Sequence, residues 1–121
     1  MKPESKSAFV TLIEKIKTLS EQGLIQWRES FGKDCFVASL TKGGLRIEEG
    51  FYDTEDGELP YIEATLLTDD GKPIEAVNTI PPVGANPTLL HDLFRLARFS
   101  ARQGGDVLKN LLSEVDSLTA N

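Results

Sequence analysis

The chain has little of what most catalytic and metal sites are built from. Its 121 residues include one cysteine, one histidine and one tryptophan. A single cysteine excludes a disulfide within the chain, and one cysteine with one histidine cannot supply the four ligands of a structural zinc site. We therefore predict no metal site, and we expect a reducing, cytoplasmic environment.

Long apolar runs and nucleotide-binding motifs are also lacking. No run approaches the ~20 apolar residues of a membrane span, and the amino-terminal segment has no signal-peptide pattern. The glycine pairs in "TKGGLR" (41–46) and "RQGGDV" (102–107) lack the Lys-Ser or Lys-Thr of a phosphate-binding loop. Neither G-x-S-x-G nor H-E-x-x-H occurs. The sequence thus predicts no cofactor and no membrane contact, and we expect that the protein is not an enzyme.

Positive charge is the scarcer sign. Thirteen Lys and Arg residues stand against 19 Asp and Glu residues, which gives a formal net charge of −6. This surface repels phosphate backbones, so we expect no nucleic-acid binding, although a basic protein partner is compatible with it. The length and the ordinary balance of 40% hydrophobic and 26% charged residues predict one domain over residues 1–121.

Hydrophobic periodicity predicts an α+β domain. It consists of an N-terminal helix, an antiparallel four- to five-stranded meander sheet, and two C-terminal helices packed on one face. Short turns at "TKGG" and "TDDGK" join neighbouring strands, and a glycine pair separates the last two helices. The predicted elements are a helix over 4–22, strands over 24–29, 35–40, 45–52, 59–67 and 73–80, a polar loop over 53–58, a helix over 87–103 and a helix from 106.

The helix over 87–103 carries the sharpest candidate site, in the stretch "HDLFRLARFSARQGG". At 100° per residue, one histidine and three arginines fall within about 60°, opposite an apolar face. Arginine suits planar, bidentate contacts with carboxylates or phosphates, and an aromatic residue on the flank is typical of interfaces. The alternative is a solvated face whose arginines pair with the protein's own acids. The candidate binding residues are His91, Arg95, Arg98, Phe99 and Arg102.

Other chemistry-bearing residues give weaker signals. Catalysis by His91 needs a nucleophile or an orienting carboxylate. Cys35 is the candidate nucleophile, and the sequence around it has no nucleophile motif. In the acidic segment 48–58, counting back from Gly57 puts Tyr52 at the first ligand position of a calcium loop, so that pattern fails. We interpret this segment as a solvated loop or an acidic docking patch, and Trp27 as a core residue.

These observations favour a non-catalytic protein-interaction module. One version is self-association as a homodimer, with the acidic segment of one copy meeting the basic helix of another; a second version is inhibitor-like binding to a basic partner. The alternative is a sensor of a small anion, held near the start of the 87–103 helix by backbone N–H groups, His91 and Arg95. The element order and the ending "LARFSARQGGDVLKNLLSEV" resemble those of small bacterial domains, without a motif that assigns a family.

Overall fold

A computed structural model describes residues 7–30, 32, 34–82 and 86–119. Five antiparallel strands follow one another across a single sheet in chain order, with one helix before them and two after. The predicted α+β architecture is confirmed. The elements are α1 (Ala8–Glu21), β1 (Arg28–Glu29), β2 (Cys35–Leu40), β3 (Gly43–Thr54), β4 (Gly57–Leu67), β5 (Pro73–Asn78), α2 (Pro87–Ala101) and α3 (Gly104–Thr119).

Helix α1 begins and ends where local side-chain chemistry allows it. The Ser7 hydroxyl accepts a hydrogen bond from the N–H of Val10, which satisfies one of the free amides of the first turn. Gly23 has a φ of 74°, the left-handed conformation expected of a glycine just past a helix. The predicted residues 4–6 of this helix lie outside the described part of the chain.

The sheet differs from the prediction at four places. Strand β3 begins at Gly43, inside the predicted "TKGG" turn, and β5 ends at Asn78 and not at 80. Strand β1 covers only two residues of the predicted 24–29. The predicted polar loop over 53–58 is wrong, because β3 and β4 continue to Thr54 and from Gly57 around a two-residue turn. The Thr54 hydroxyl donates to the Gly57 carbonyl at 2.7 Å, and Gly57 takes a φ of 108° that a side chain would disfavour. The result is a long hairpin that ends in the acidic segment.

The core lies between one face of the sheet and helices α1 and α2. Alternate strand residues point to this face, so that Phe36 is opposite Ile47 and Ala38 is opposite Leu45 in the paired strands. The Phe36 ring contacts the Phe94 ring of α2 at a centroid distance of 5.6 Å. The buried core residues from α1 and α2 are Phe9, Ile13, Ile16, Leu90, Leu93, Phe94 and Ala97.

Helix α3 does not share in this core, contrary to the expectation that both C-terminal helices cover the sheet. Its principal contact is with α2, and none of its described side chains is buried. The physical reason is that α1 and α2 already close the sheet face, where Ile13, Leu90 and Leu93 have no exposed surface. Across the described residues, no helix combines the length and apolar content needed to cross a membrane.

Candidate functional site

The basic face of α2 is largely occupied by contacts within the chain. Arg102 Nε donates to Glu29 Oε1 at 3.1 Å, and its Nη2 lies 3.5 Å from Asp34 Oδ1. The same guanidinium lies 5.4 Å from the centroid of the Phe36 ring. Arg102 therefore joins the end of α2 to β1 and to the start of β2, which is a structural role.

The other two arginines also have partners on their own helix. Arg95 forms an ion pair with Asp92, one turn earlier. Arg98 lies over the Phe94 ring with its guanidinium 5.4 Å from the centroid. His91 is exposed at the surface of α2. The predicted stripe thus exists as a surface, and the described contacts favour the alternative in which its arginines engage groups of the same chain.

Phe99 lies beside Arg95, in the same cleft, and close to the corner between α2 and α3. About half of the side chain is exposed, at 52%. Its ring lies so close to Gly104 that a Cβ at that residue would overlap it. Gln103, which precedes this glycine, has a φ of 55° that turns the chain from one helix into the next. Phe99 therefore continues the exposed apolar surface from α2 onto α3.

Helix α3 presents the largest exposed apolar surface that we identify on the described chain. Six apolar side chains fall within about 140° of one another on the helix, and polar residues occupy the rest. Each of the six is between 52% and 72% exposed. The apolar periodicity of these residues is what predicts a helix from 106, and we expected that helix to pack on the sheet. The α3 stripe consists of Val107, Leu108, Leu111, Leu112, Val115 and Leu118.

The start of α2, which the sensor hypothesis requires, is capped by the chain itself. Asn86 Oδ1 accepts hydrogen bonds from the N–H groups of Thr88 at 3.0 Å and Leu89 at 3.5 Å. Because Pro87 has no N–H, this helix start has three amides that could face an anion, and these are two of them. The anion sensor stays a prediction, with two of its donors already used.

Cys35 lies on the opposite side of the sheet from α2. The neighbouring Phe36 points toward α2, and alternation along the strand turns Cys35 to the outer face. Its Sγ donates to Glu48 Oε2 at 3.3 Å. Burial and the adjacent Glu48 carboxylate raise the pKa of the Cys35 thiol to about 11. The sheet therefore lies between Cys35 and the helix that carries His91, which separates the two side chains.

We therefore expect Cys35 to react slowly with thiol reagents in the folded protein. The thiolate is the reactive form, and a pKa of about 11 in place of 9.0 lowers its population at pH 8 about 100-fold. The rate of modification by Ellman's reagent should rise about tenfold per pH unit between pH 8 and pH 10. A Cys35→Ser, Ser39→Cys variant, with an exposed thiol on the same strand, is the matched control. Equal rates for the two thiols at pH 8 would contradict the assignment.

The acidic segment forms the tip of the β3–β4 hairpin. Phe51 and Leu59 are exposed near this tip, among several carboxylates. In the described ranges, no group of three or more His, Cys, Asp or Glu residues has an arrangement that could hold a metal ion. The hairpin tip is thus an acidic surface with exposed apolar side chains.

Comparison of the chain with protein-family models, with curated proteins and with solved structures gave no match. The function must therefore be argued from the geometry of the described residues.

Proposed function

We propose that this chain is a non-catalytic, cytoplasmic protein-interaction module that associates with a second copy of itself through α3. The observation that carries the proposal is the exposure of the whole α3 stripe. Single exposed apolar side chains are ordinary on a protein surface, whereas a contiguous apolar patch marks a site of association. The six residues of the α3 stripe lie along one helix and form such a contiguous patch.

Helix α3 also needs a partner for its own stability. A helix of 16 residues is near the length at which an isolated helix is marginal in water. It opens with Gly104 and Gly105, and glycine loses more conformational freedom on folding than any other residue. Most helical stability in proteins comes from packing of an apolar face, and α3 lacks that packing in the isolated chain. Association would supply it.

The total exposed area supports burial of a further surface against a partner. A compact monomer of 13.3 kDa exposes about 6,500 Å². This chain exposes 8642 Å², so that roughly 2,000 Å² more surface than expected is in contact with solvent. Obligate homodimers bury about 1,000–2,500 Å² on each copy, which is the range of this excess. Burial of the α3 stripe in a dimer would remove part of this excess.

Sedimentation over a dilution series tests this proposal directly. We expect the full chain to sediment as a dimer at about 500 µM and to dissociate progressively toward about 1 µM, as mass action requires. Because both copies are acidic, added salt should preserve or strengthen an apolar contact. Pairing of the acidic hairpin tip with the basic face of α2 would instead weaken with salt. A monomer throughout the series would contradict self-association.

A variant pair on α3 identifies the surface. Leu111→Asp places a carboxylate in the centre of the stripe, and we expect it to raise the dimer dissociation constant at least about 100-fold. Ser113→Asp adds the same charge on the polar side of the same helix and should leave the constant within about threefold. Arg98→Glu, on the basic face of α2, should likewise leave the dimer intact. Loss of the dimer in Arg98→Glu alone would move the interface to α2.

A further inference from the structure

We infer that the α3 stripe of one copy lies in an apolar groove on the body of the second copy, so that the two copies exchange their last helices. This inference rests on the proposed self-association and specifies what α3 contacts. In such a dimer each α3 lies in the groove of the other copy, so the two contacts are equivalent, as a twofold axis requires.

The groove lies between α1 and the end of the sheet where β2 turns into β3. Its volume is ≈ 340 Å³, and apolar side chains form most of its lining. Ile16 is buried there and Leu12 and Leu66 are partly buried, whereas Leu40 and Ile74 are 51% and 57% exposed. Exposed apolar side chains around a concave, apolar cleft are typical of a binding groove.

The α3 stripe has the spacing that such a groove accepts. Leu108, Leu111, Leu112 and Val115 fall at i, i+3, i+4 and i+7, the anchor spacing of helices that bind in hydrophobic grooves. A convex helix in a concave groove covers both apolar surfaces at once. Pairing of two α3 helices with each other would leave Leu40 and Ile74 in water.

Charge also favours the groove over a pair of α3 helices. Three of the four charged residues on α3 are acidic, namely Asp106, Glu114 and Asp116, and the fourth is Lys109. Two such helices side by side in a parallel arrangement would bring like charges together. The charged residue that lines the groove is Lys42, which has the complementary sign. The groove therefore suits an acidic helix with an apolar stripe, and α3 is such a helix on the same chain.

A substitution in the groove tests whether α3 binds there, separately from whether the chain forms a dimer at all. Ile74→Asp should raise the dimer dissociation constant at least about 100-fold, since it puts a carboxylate into both equivalent contacts. Thr41→Asp, in the exposed turn beside the groove, is the matched control and should change the constant less than about threefold. If the wild-type chain dimerises and Ile74→Asp dimerises equally well, the groove inference is wrong and the proposed function stands. A monomeric wild-type chain overturns both.

Disulfide trapping distinguishes the two arrangements of α3. All chains carry Cys35→Ser; one carries Leu40→Cys and a longer tag, and the other carries Leu111→Cys. The exchanged arrangement predicts that the mixture forms the mixed disulfide faster than the Leu111→Cys chain alone forms its symmetric disulfide. The opposite order of rates means that α3 pairs with α3, and it overturns the groove inference. Circular dichroism of each variant confirms that the compared chains are folded.

Discussion

Phe36→Ala is expected to lower the free energy of unfolding by about 3–5 kcal/mol, close to the whole stability of many small domains. Phe36 has no exposed surface, and its ring lies at the centre of the contact between the sheet and α2. Removing it leaves a cavity against Phe94 and Ile47. It also removes the ring beneath the Arg102 guanidinium. Arg102, which joins the end of α2 to β1, therefore loses one of its contacts.

Urea unfolding followed by circular dichroism measures this loss. Phe51→Ala is the matched control, because it makes the same change on β3 at a side chain that is 61% exposed. We expect the control to cost less than about 1 kcal/mol, as surface substitutions usually do. Equal losses for the two variants would mean that the core does not lie between α2 and the Phe36 side of the sheet.

Elements whose boundaries depend on local chemistry were predicted well. Strand β2 has the predicted bounds, and a two-residue turn at Thr41 and Lys42 follows it, whereas the glycines predicted for this turn are the first residues of β3. Helix α2 begins at Pro87 after the Asn86 cap, as that pair of residues indicates. Trp27 was predicted to be buried and is 4% exposed. For β2 and α2 the deciding interactions are made by residues a few places apart, whereas the burial of Trp27 also depends on α2, 73 residues away at Ser100.

The hairpin tip was mispredicted because its strands are exposed on both faces. Between Asp53 and Glu58 the sequence is rich in carboxylates and has no apolar alternation to indicate a strand. The strands persist because the ladder of β3 and β4 continues outward from their buried ends, as far as Thr54 opposite Gly57. Such an extension is decided by cross-strand pairing, which polarity along one strand does not reveal.

The role of the α3 stripe could not be read from the sequence for a different reason. An amphipathic pattern says that one face of a helix will be covered, and it is the same for a core helix and for an interface helix. The distinction depends on whether α1 and α2 suffice to close the sheet, which is a property of the assembled fold. The partners of Arg102 could not be predicted from the sequence either, since Glu29 lies 73 residues away in the chain.

Trp27 couples the segment before β1 to two helices, so its removal should have an effect as large as that of Phe36. Its indole Nε1 donates to the Ser20 hydroxyl at the end of α1 at 3.0 Å. Its backbone N–H donates to the Ser100 hydroxyl of α2 at 3.1 Å. Trp27→Ala keeps the backbone hydrogen bond and loses the whole indole, and we expect it to cost about 3–5 kcal/mol.

Two smaller changes separate the indole's packing from its hydrogen bond. Ser20→Ala leaves the buried Nε1 without this acceptor, and we expect a loss of about 1–3 kcal/mol, the usual cost of an unsatisfied buried donor. In the Trp27→Phe background the donor is gone, so the same Ser20→Ala change should cost less than about 0.5 kcal/mol. Urea unfolding followed by circular dichroism, which does not depend on the tryptophan signal, measures all four chains. If Ser20→Ala costs the same in both backgrounds, the hydrogen bond does not hold α1 to Trp27, and packing alone joins them.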